Sequence, residues 1–550
     1  MRHNYWFIII LLLAFFLRFY QLSSNPPSLN WDEVSHGYNA YSLLNTGKDQ
    51  WGVTFPFFNF RAYGDYPMVL NLYLTIPSII VFGLNEFSIR FPSALFGTAL
   101  VVVSYFLGKI FFSSKREALL LMFLVAISPW TILPSRAVFQ SNSAQFFLVL
   151  GLTLFLYSVS RFKPWLLFFG LLTLAVSSYG YHNTRIFVPL FFPILILFYQ
   201  KEIKKLFALN RKVVIISFLI FLTLTLFQLS NLFSGDSRAR SKWVFAIDEG
   251  AIGYINERRS SFGNSFLGRV VYNKGTYLIA KSASNFASYL WPDNLFFKGG
   301  TQYQFSIPNY GVLYSLWMPF FYLGLLLVII GCYKREKNSI FLVFWLIMGL
   351  VPAIITKDSF QVIRATTILP LPMIFIVIGT KKLEEILSGK EKISRLVIGL
   401  FIGGSLVLLG NYWRIFWTSY RQQYSWAWQY GYKETVNFIK ANYQNYDKIY
   451  VTKKYGEPHE FVLFYWPWNP QQYLNDPNLK WNYHADWYWV DGFDKFIFIN
   501  DWEMIDKLKI KNEKLKILAI TSPENYPDGW NKLKTINFLD GKPAFEILEK

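Results

Sequence analysis

The sequence predicts a polytopic α-helical membrane protein that ends in a small soluble α/β domain. Three observations predict it. The 550 residues are 53% hydrophobic and 20% aromatic, with only 16% charged, a balance that soluble domains seldom show. Apolar runs near the roughly 20 residues needed to cross a hydrocarbon core recur along most of the chain. Basic residues gather in short clusters between those runs, where the positive-inside rule wants them. The formal net charge of +20 therefore reads as a topology signal. No helix-turn-helix, zinc-finger or RNP-like pattern accompanies it, so the expected partner is the lipid bilayer and not nucleic acid.

Arg2 and His3 lead into "NYWFIIILLLAFFLRF". This stretch resembles a signal peptide but lacks an A-x-A-like cleavage site, and reads as an uncleaved anchor with its N-terminus inside. Arg18, near its outer end, is expected to snorkel to the interface. The expected spans are 5–22, 91–112, 117–134, 138–160, 164–181, 186–200, 212–233, 311–332, 339–356, 365–381 and 394–413.

The stretch 68–84, "MVLNLYLTIPSIIVFGL", is the exception. Counted as a span, it would put Lys115/Arg116, the "RFK" at 161–163 and the "KEIKK" at 201–205 outside. Read as a helix lying in the outer interface, it leaves these clusters inside, with Lys334/Arg335/Lys337 and Lys381/Lys382. The expectation is about eleven spans, N-terminus in and C-terminus out. Residues 1–413 form the membrane domain, with a first outer loop at 23–90 and a middle outer loop at 234–310. Residues 414–550 follow outside, where strand-like "KIYVT", "EFVLFYW", "KFIFIN" and "KILAIT" alternate with the helical "YKETVNFIKANY". The single cysteine, Cys332, excludes an intramolecular disulfide and a Cys-based metal site.

The residues that break the topology rule carry the chemistry. Arginines sit at nearly every outer turn: Arg61 and Arg90 in the first loop, Arg136 in "LPSRAVF", Arg185 beside His182 in "YHNTRIF", Arg238 and Arg240 opening the middle loop, and Arg364 in "FQVIRAT". One alone reads as an anchor to lipid phosphates. A rim of them suits the phosphate of a lipid-linked substrate, because guanidinium forks bind phosphate bidentately. Three acids accompany them: Asp32 and Glu33 directly after the first span, and Asp65 in "YGDYPM". Helix capping would account for Asp32 or Asp65 taken singly. Together with the arginines they supply what glycosyl transfer to a hydroxyl needs, a base for the acceptor proton and cations for the departing phosphate.

Three of these features together resemble the GT-C fold glycosyltransferases, and within them the bacterial protein-mannosyltransferase and aminoarabinose-transferase-like families. They are the acid pair after the first span, "GDYP" ahead of an interfacial helix, and "FGLNEFSIRFPSALFG" opening the second span. "SPWTILPSRAVFQSN", "YHNTRIFVPL" and "WAWQYGYKETVNFI" extend the resemblance along the chain. It implies an inverting membrane transferase that uses a polyprenyl-phosphate sugar donor at the outer face. It also implies Asp32 as base, Glu33 as supporting acid and Asp65 as the acid of an acid-x-proline motif. The phosphate is left to Arg61, Arg136, His182, Arg185, Arg238 and Arg364. Relatives often carry lysine where this chain has Tyr66, proline where it has Met68, and glutamate where it has Gln140. The acceptor is a protein, glycan or lipid.

No cofactor is expected. His36, His182, Asp65 and Glu33 form the only set that suggests a divalent cation, and without an HxxxH pattern they read as structural. The C-terminal tryptophans offer faces for sugar rings, "FYWPWNP" above all. A lipid-linked-sugar flippase or transporter, an oligosaccharide transferase, and a glycan-binding scaffold without activity are the competing classes. Charges at the outer ends of spans, and not at the midplane, favour the enzyme over the transporter.

Overall fold

The computed structural model describes residues 2–233, 243–263, 265–509 and 515–550. The chain divides into two compact units. The first comprises Met1–Tyr20, Ser93–Ser135 and Phe139–Tyr412, and the second Gln21–Pro92, Arg136–Val138 and Trp413–Lys550. The first outer loop, grouped with the membrane region in the sequence reading, thus packs with the C-terminal domain.

Among the described residues, seven helices are long and apolar enough to cross a membrane, or up to nine if each of two bent pairs is one span. These nine coincide with nine of the eleven expected spans. The other two, 5–22 and 164–181, coincide with the shorter apolar helices Tyr5–Phe19 and Pro164–Ser177. Glycines let neighbours approach backbone to backbone, as membrane packing favours. A Cβ on Gly324 would stand 1.8 Å from the Phe375 carbonyl oxygen, and one on Gly379 2.1 Å from that of Phe320.

Two expected straight spans are broken. Lys115–Ile127 meets Pro129–Arg136 at 66°, and Val362–Ile368 meets Leu371–Ile386 at 60°. Proline lacks the amide hydrogen that would continue each helix, and the freed carbonyls must find donors inside the protein. Arg18 supplies several. It is fully buried rather than snorkelling, and its guanidinium donates to Ala126 O at 3.0 Å, Val125 O at 3.3 Å and Thr131 Oγ1 at 3.3 Å. The Tyr314 hydroxyl takes Ile127 O at 2.8 Å.

The second unit is built on a seven-stranded sheet. Its strands are β1 (Lys448–Thr452), β2 (Lys480–His484), β3 (Trp487–Phe493), β4 (Phe496–Ile499), β5 (Ile517–Thr521), β6 (Asn531–Asn537) and β7 (Pro543–Glu549), in the order β2-β3-β4-β1-β5-β7-β6. The central β1 runs parallel to β4 and β5, with Ile449 opposite Phe496 and Leu518, and the outer pairs are antiparallel. The expected strand "EFVLFYW" is instead part of the helix Pro458–Tyr465. A short apolar run does not by itself separate a buried strand from a buried helix, and Pro458 in the first turn starts the helix. Leu29, Val34, Tyr38 and Ile89 of the first loop enter the same core as Ile449, Phe461, Phe493 and Phe498.

The expected interfacial helix is Leu70–Phe82. Its 13 residues extend about 20 Å at 1.5 Å per residue, short of a hydrocarbon core. Leu72 and Ile79 are buried while Ile80, Val81 and Phe82 are exposed. The expected aromatic platform is not one. Trp466 and Trp468 pack partly buried against the sheet core, with Trp468 5.2 Å from Phe493.

Candidate active site

The helix Trp31–Thr46 carries two of the three acids. Its N-cap is Asn30, whose side chain accepts from the Glu33 amide at 2.9 Å, while Glu33 Oε2 accepts from the Asn30 amide at 3.2 Å. This reciprocal box satisfies two end donors and leaves Asp32 no capping duty. Asp65 is not a cap either, since the next helix starts at Leu70 with no side-chain cap at Val69. Capping, the structural explanation open to either acid, fails for both.

Glu33 is fully buried, and its two carboxylate oxygens meet Arg90 Nε at 2.8 Å and Nη2 at 2.9 Å. The Val138 amide adds a third donor at 3.1 Å. Arg90 reaches Leu22 O at 3.1 Å, Pro26 O at 3.0 Å and Ser28 O at 2.6 Å as well, so every N–H of its guanidinium is engaged. Arg90 is a clasp and not a phosphate ligand. Arg136 corrects the sequence reading in the same way. It is fully buried, donates to Asn25 O at 2.8 Å and Gln21 O at 3.4 Å, and lies over Trp413, Phe416 and Trp417. A phosphate has no access to it.

Asp32 sits one residue before Glu33 and is partly exposed. The Tyr63 hydroxyl donates to its Oδ1, and its carbonyl oxygen lies 2.9 Å from His36 Nδ1. Tyr63 comes from a hairpin-like loop in which the Phe60 amide donates to Pro67 O at 3.0 Å and the Ala62 amide to Asp65 O at 3.1 Å. The turn so formed carries Arg61, Tyr63 and Asp65 together, and Asp65 Oδ1 accepts from the Tyr66 amide at 2.9 Å. Burial first, and then the Asp32 carboxylate, push the Tyr63 hydroxyl well above the ordinary phenol range, so it remains a donor. Burial lowers His36 to about 4, and Asp65 opposes that shift. Arg61 is partly exposed, with its guanidinium 4.1 Å from the Tyr488 ring centre and 5.4 Å from that of Trp51.

The structure therefore brings Asp32, Glu33, Asp65 and Arg61 into one unit. His182, Arg185 and Arg364 belong to the other. There, His182 and Arg185 are buried in the first turn of the helix His182–Leu209. The Asn183 amide donates to the Arg364 carbonyl oxygen, and the Arg364 side chain pairs with Asp358 at 2.9 Å. Arg238 and Arg240 lie outside the described residues. Among the described residues, no group of three or more His, Cys, Asp or Glu side chains is arranged to hold a metal ion.

Sequence reasoning missed Tyr63, Asn30 and Trp487. Asn30 was legible in principle from "NWDE", an N-cap with glutamate three residues on. Tyr63 and Trp487 depend on contacts between distant segments.

The family model of dolichyl-phosphate-mannose-protein mannosyltransferases matches residues 8–244, the segment that holds all three acids. An uncharacterized protein of Aquifex aeolicus is 27% identical over 176 residues, 32% of this chain and 34% of that protein. ArnT of Cupriavidus metallidurans, solved bound to undecaprenyl phosphate, matches over 99% of this chain and 98% of its own, with a TM-score of 0.51 and 11% identity. The oligosaccharyltransferase of Archaeoglobus fulgidus in its apo form matches over 84% of this chain, with a TM-score of 0.50 and 14% identity. The chain spans 63% of that enzyme's length, and its match to the Aquifex protein spans about a third of the latter. At these identities the structural likeness is one of fold. Together, the match over residues 8–244 and the likeness in fold to two glycosyltransferases support a membrane glycosyltransferase with a GT-C-like fold.

Proposed function

We propose that the protein transfers a sugar from a polyprenyl-phosphate donor to a hydroxyl acceptor on the outer face of the membrane, with inversion, using Asp32 as general base. The observation that carries this reading is the environment of Asp32: partly exposed, relieved of capping by Asn30, and oriented by Tyr63. As the acceptor oxygen bonds to the anomeric carbon, the bond from that carbon to the phosphate oxygen breaks. The hydroxyl proton passes to Asp32 and the polyprenyl phosphate departs. A single displacement of this kind inverts the anomeric centre. Glu33 serves by holding the helix that presents Asp32, and Asp65 is a second acid beside His36. Arg61, which shares a unit with Asp32, is the candidate to steady the departing phosphate.

The phosphate donor class is supported by the undecaprenyl phosphate bound to ArnT, and mannose and a protein acceptor by the family description. In this reading the chain has eleven spans, its N-terminus is inside and its acids and C-terminal domain are extracytoplasmic. The test is sugar transfer by purified protein offered a panel of polyprenyl-phosphate sugars with peptide, glycan and lipid acceptors. Turnover of one donor is expected, with or without a chelator. No turnover of any donor, with or without added divalent metal, would overturn the proposal.

The two bent helix pairs favour a second reading, an alternating-access carrier of lipid-linked sugar, since transporters build their sites from broken helices. That reading predicts donor translocation across vesicles without loss of the sugar.

A further inference from the structure

The first-loop turn that carries Tyr63 and Asp65 is gripped by a distant part of the chain. Trp487, the first residue of β3, lies flat on Tyr63 with ring centres 4.9 Å apart and planes at 20°. Gly64 makes the seat. A Cβ there would stand 2.2 Å from Trp487 Cε3 and 2.9 Å from the Asp486 carbonyl oxygen, so the indole rests on bare backbone. The next residue, Tyr488, directs its amide to the Tyr63 carbonyl oxygen at 3.4 Å.

The indole is fixed from its other edge as well. Its Nε1 donates to Glu457 Oε1 at 2.6 Å. Glu457 is 2% exposed and belongs to a buried cluster with His459 and Glu460, and burial raises its affinity for a proton. Gln50 of the first loop donates to Glu460 Oε1 at 2.6 Å, closing the connection between loop and domain. A continuous line of contacts thus runs from Glu457 through Trp487 and Tyr63 to Asp32. Each link limits the freedom of the next: the hydrogen bond to Glu457 orients the indole, the indole face orients the phenol, and the phenol meets the carboxylate.

We propose that Trp487 is a positioning residue for Asp32, holding Tyr63 where its hydroxyl meets the carboxylate, so that the C-terminal domain is part of the reacting site. The proposal rests on Asp32 being the base. A phenol that donates to a carboxylate stabilises its ionised form. Releasing the phenol therefore raises the proton affinity of Asp32 and moves the acid limb of the rate profile to higher pH. The other charged groups bearing on Tyr63 are Asp65 and Glu460, and His36 bears on Asp32 through its carbonyl oxygen. The Trp487 and Tyr63 variants leave all three in place.

The test is turnover against pH for the full-length protein with a polyprenyl-phosphate sugar, in Trp487→Ala, Tyr63→Phe and the double variant. Each single variant is expected to lose about tenfold in turnover at neutral pH. Each should also move the acid limb up by about one unit, with donor KM little changed. The double variant should be no worse than Tyr63→Phe, because the two residues act in series. Trp487→Phe, which keeps a stacked ring but loses the hydrogen bond to Glu457, should fall between wild type and Trp487→Ala. Trp487→Leu, apolar but without a flat face, takes the place of the alanine variant if that does not accumulate. An unmoved acid limb, or losses that multiply in the double variant, overturns the proposal while Asp32→Asn remains inactive. Full turnover in Asp32→Asn overturns it together with the reading beneath it.

Discussion

The clasp around Glu33 and the open cluster around Asp32 grow from adjacent residues and end in opposite environments. One step along a helix turns the side chain by about 100°. Glu33 enters the dry interior, where Arg90 grips it with both forks of its guanidinium. Asp32 turns toward the partly exposed side, meeting a tyrosine hydroxyl and no cap. On the proposed function, helix geometry divides two like acids side by side between architecture and chemistry. The arginines divide in the same way. Arg18, Arg90 and Arg136 hold backbone carbonyls together inside the protein, whereas Arg61 stays partly exposed on the turn that also carries Asp65.

The comparison can be broken from the clasp side first. Arg90→Ala leaves Glu33 buried without its charged partner, and should destabilise the fold by about 3–5 kcal/mol. A denaturant titration measures this, and an unchanged midpoint would mean the clasp is idle. From the other side, Asp32→Asn should lower turnover at least about a hundredfold with little loss of stability, the low end of what a general base supplies. Asp65→Asn sharpens the picture further. As a second acid beside His36 it should cost about tenfold in turnover, and a loss as large as that of Asp32→Asn would exchange the two roles.

The smallest effect concerns His36, whose folded pKa of about 4 lies below its ordinary 6.5. The unfolded chain binds the proton more readily, so stability is fully present above pH 6.5 and is lost as pH falls toward 4. Between pH 7 and pH 5.5 the loss should be about 1 kcal/mol. His36→Gln should remove it, as the pH dependence of the thermal midpoint would report.

Much of this was legible in the sequence where physical chemistry acts locally. Long apolar runs announce spans, and "KIYVT", "KFIFIN" and "KILAIT" became β1, β4 and β5. The acid pair stood out because carboxylates directly after a span need a reason. Partnership at a distance stayed hidden. A single arginine at a helix end reads the same whether it faces a phosphate or buried backbone carbonyls, as Arg18 and Arg136 show. After its glutamate, "EFVLFYW" carries apolar residues at every step and so no period to separate strand from helix. The grip of Trp487 on Tyr63 and Gly64 joins residues that no local pattern relates, and with it the assignment of the first loop to the C-terminal domain.

The central claim is that Asp32 does the chemistry while Glu33 holds the scaffold. The most direct measurement sets turnover and thermal midpoint side by side for Asp32→Asn and Glu33→Gln, in one detergent, with turnover normalised to folded protein. The account predicts that Asp32→Asn keeps its midpoint and loses turnover, while Glu33→Gln lowers the midpoint and the protein that remains folded still turns over. Full turnover in Asp32→Asn, or an unchanged midpoint with lost turnover in Glu33→Gln, would contradict it.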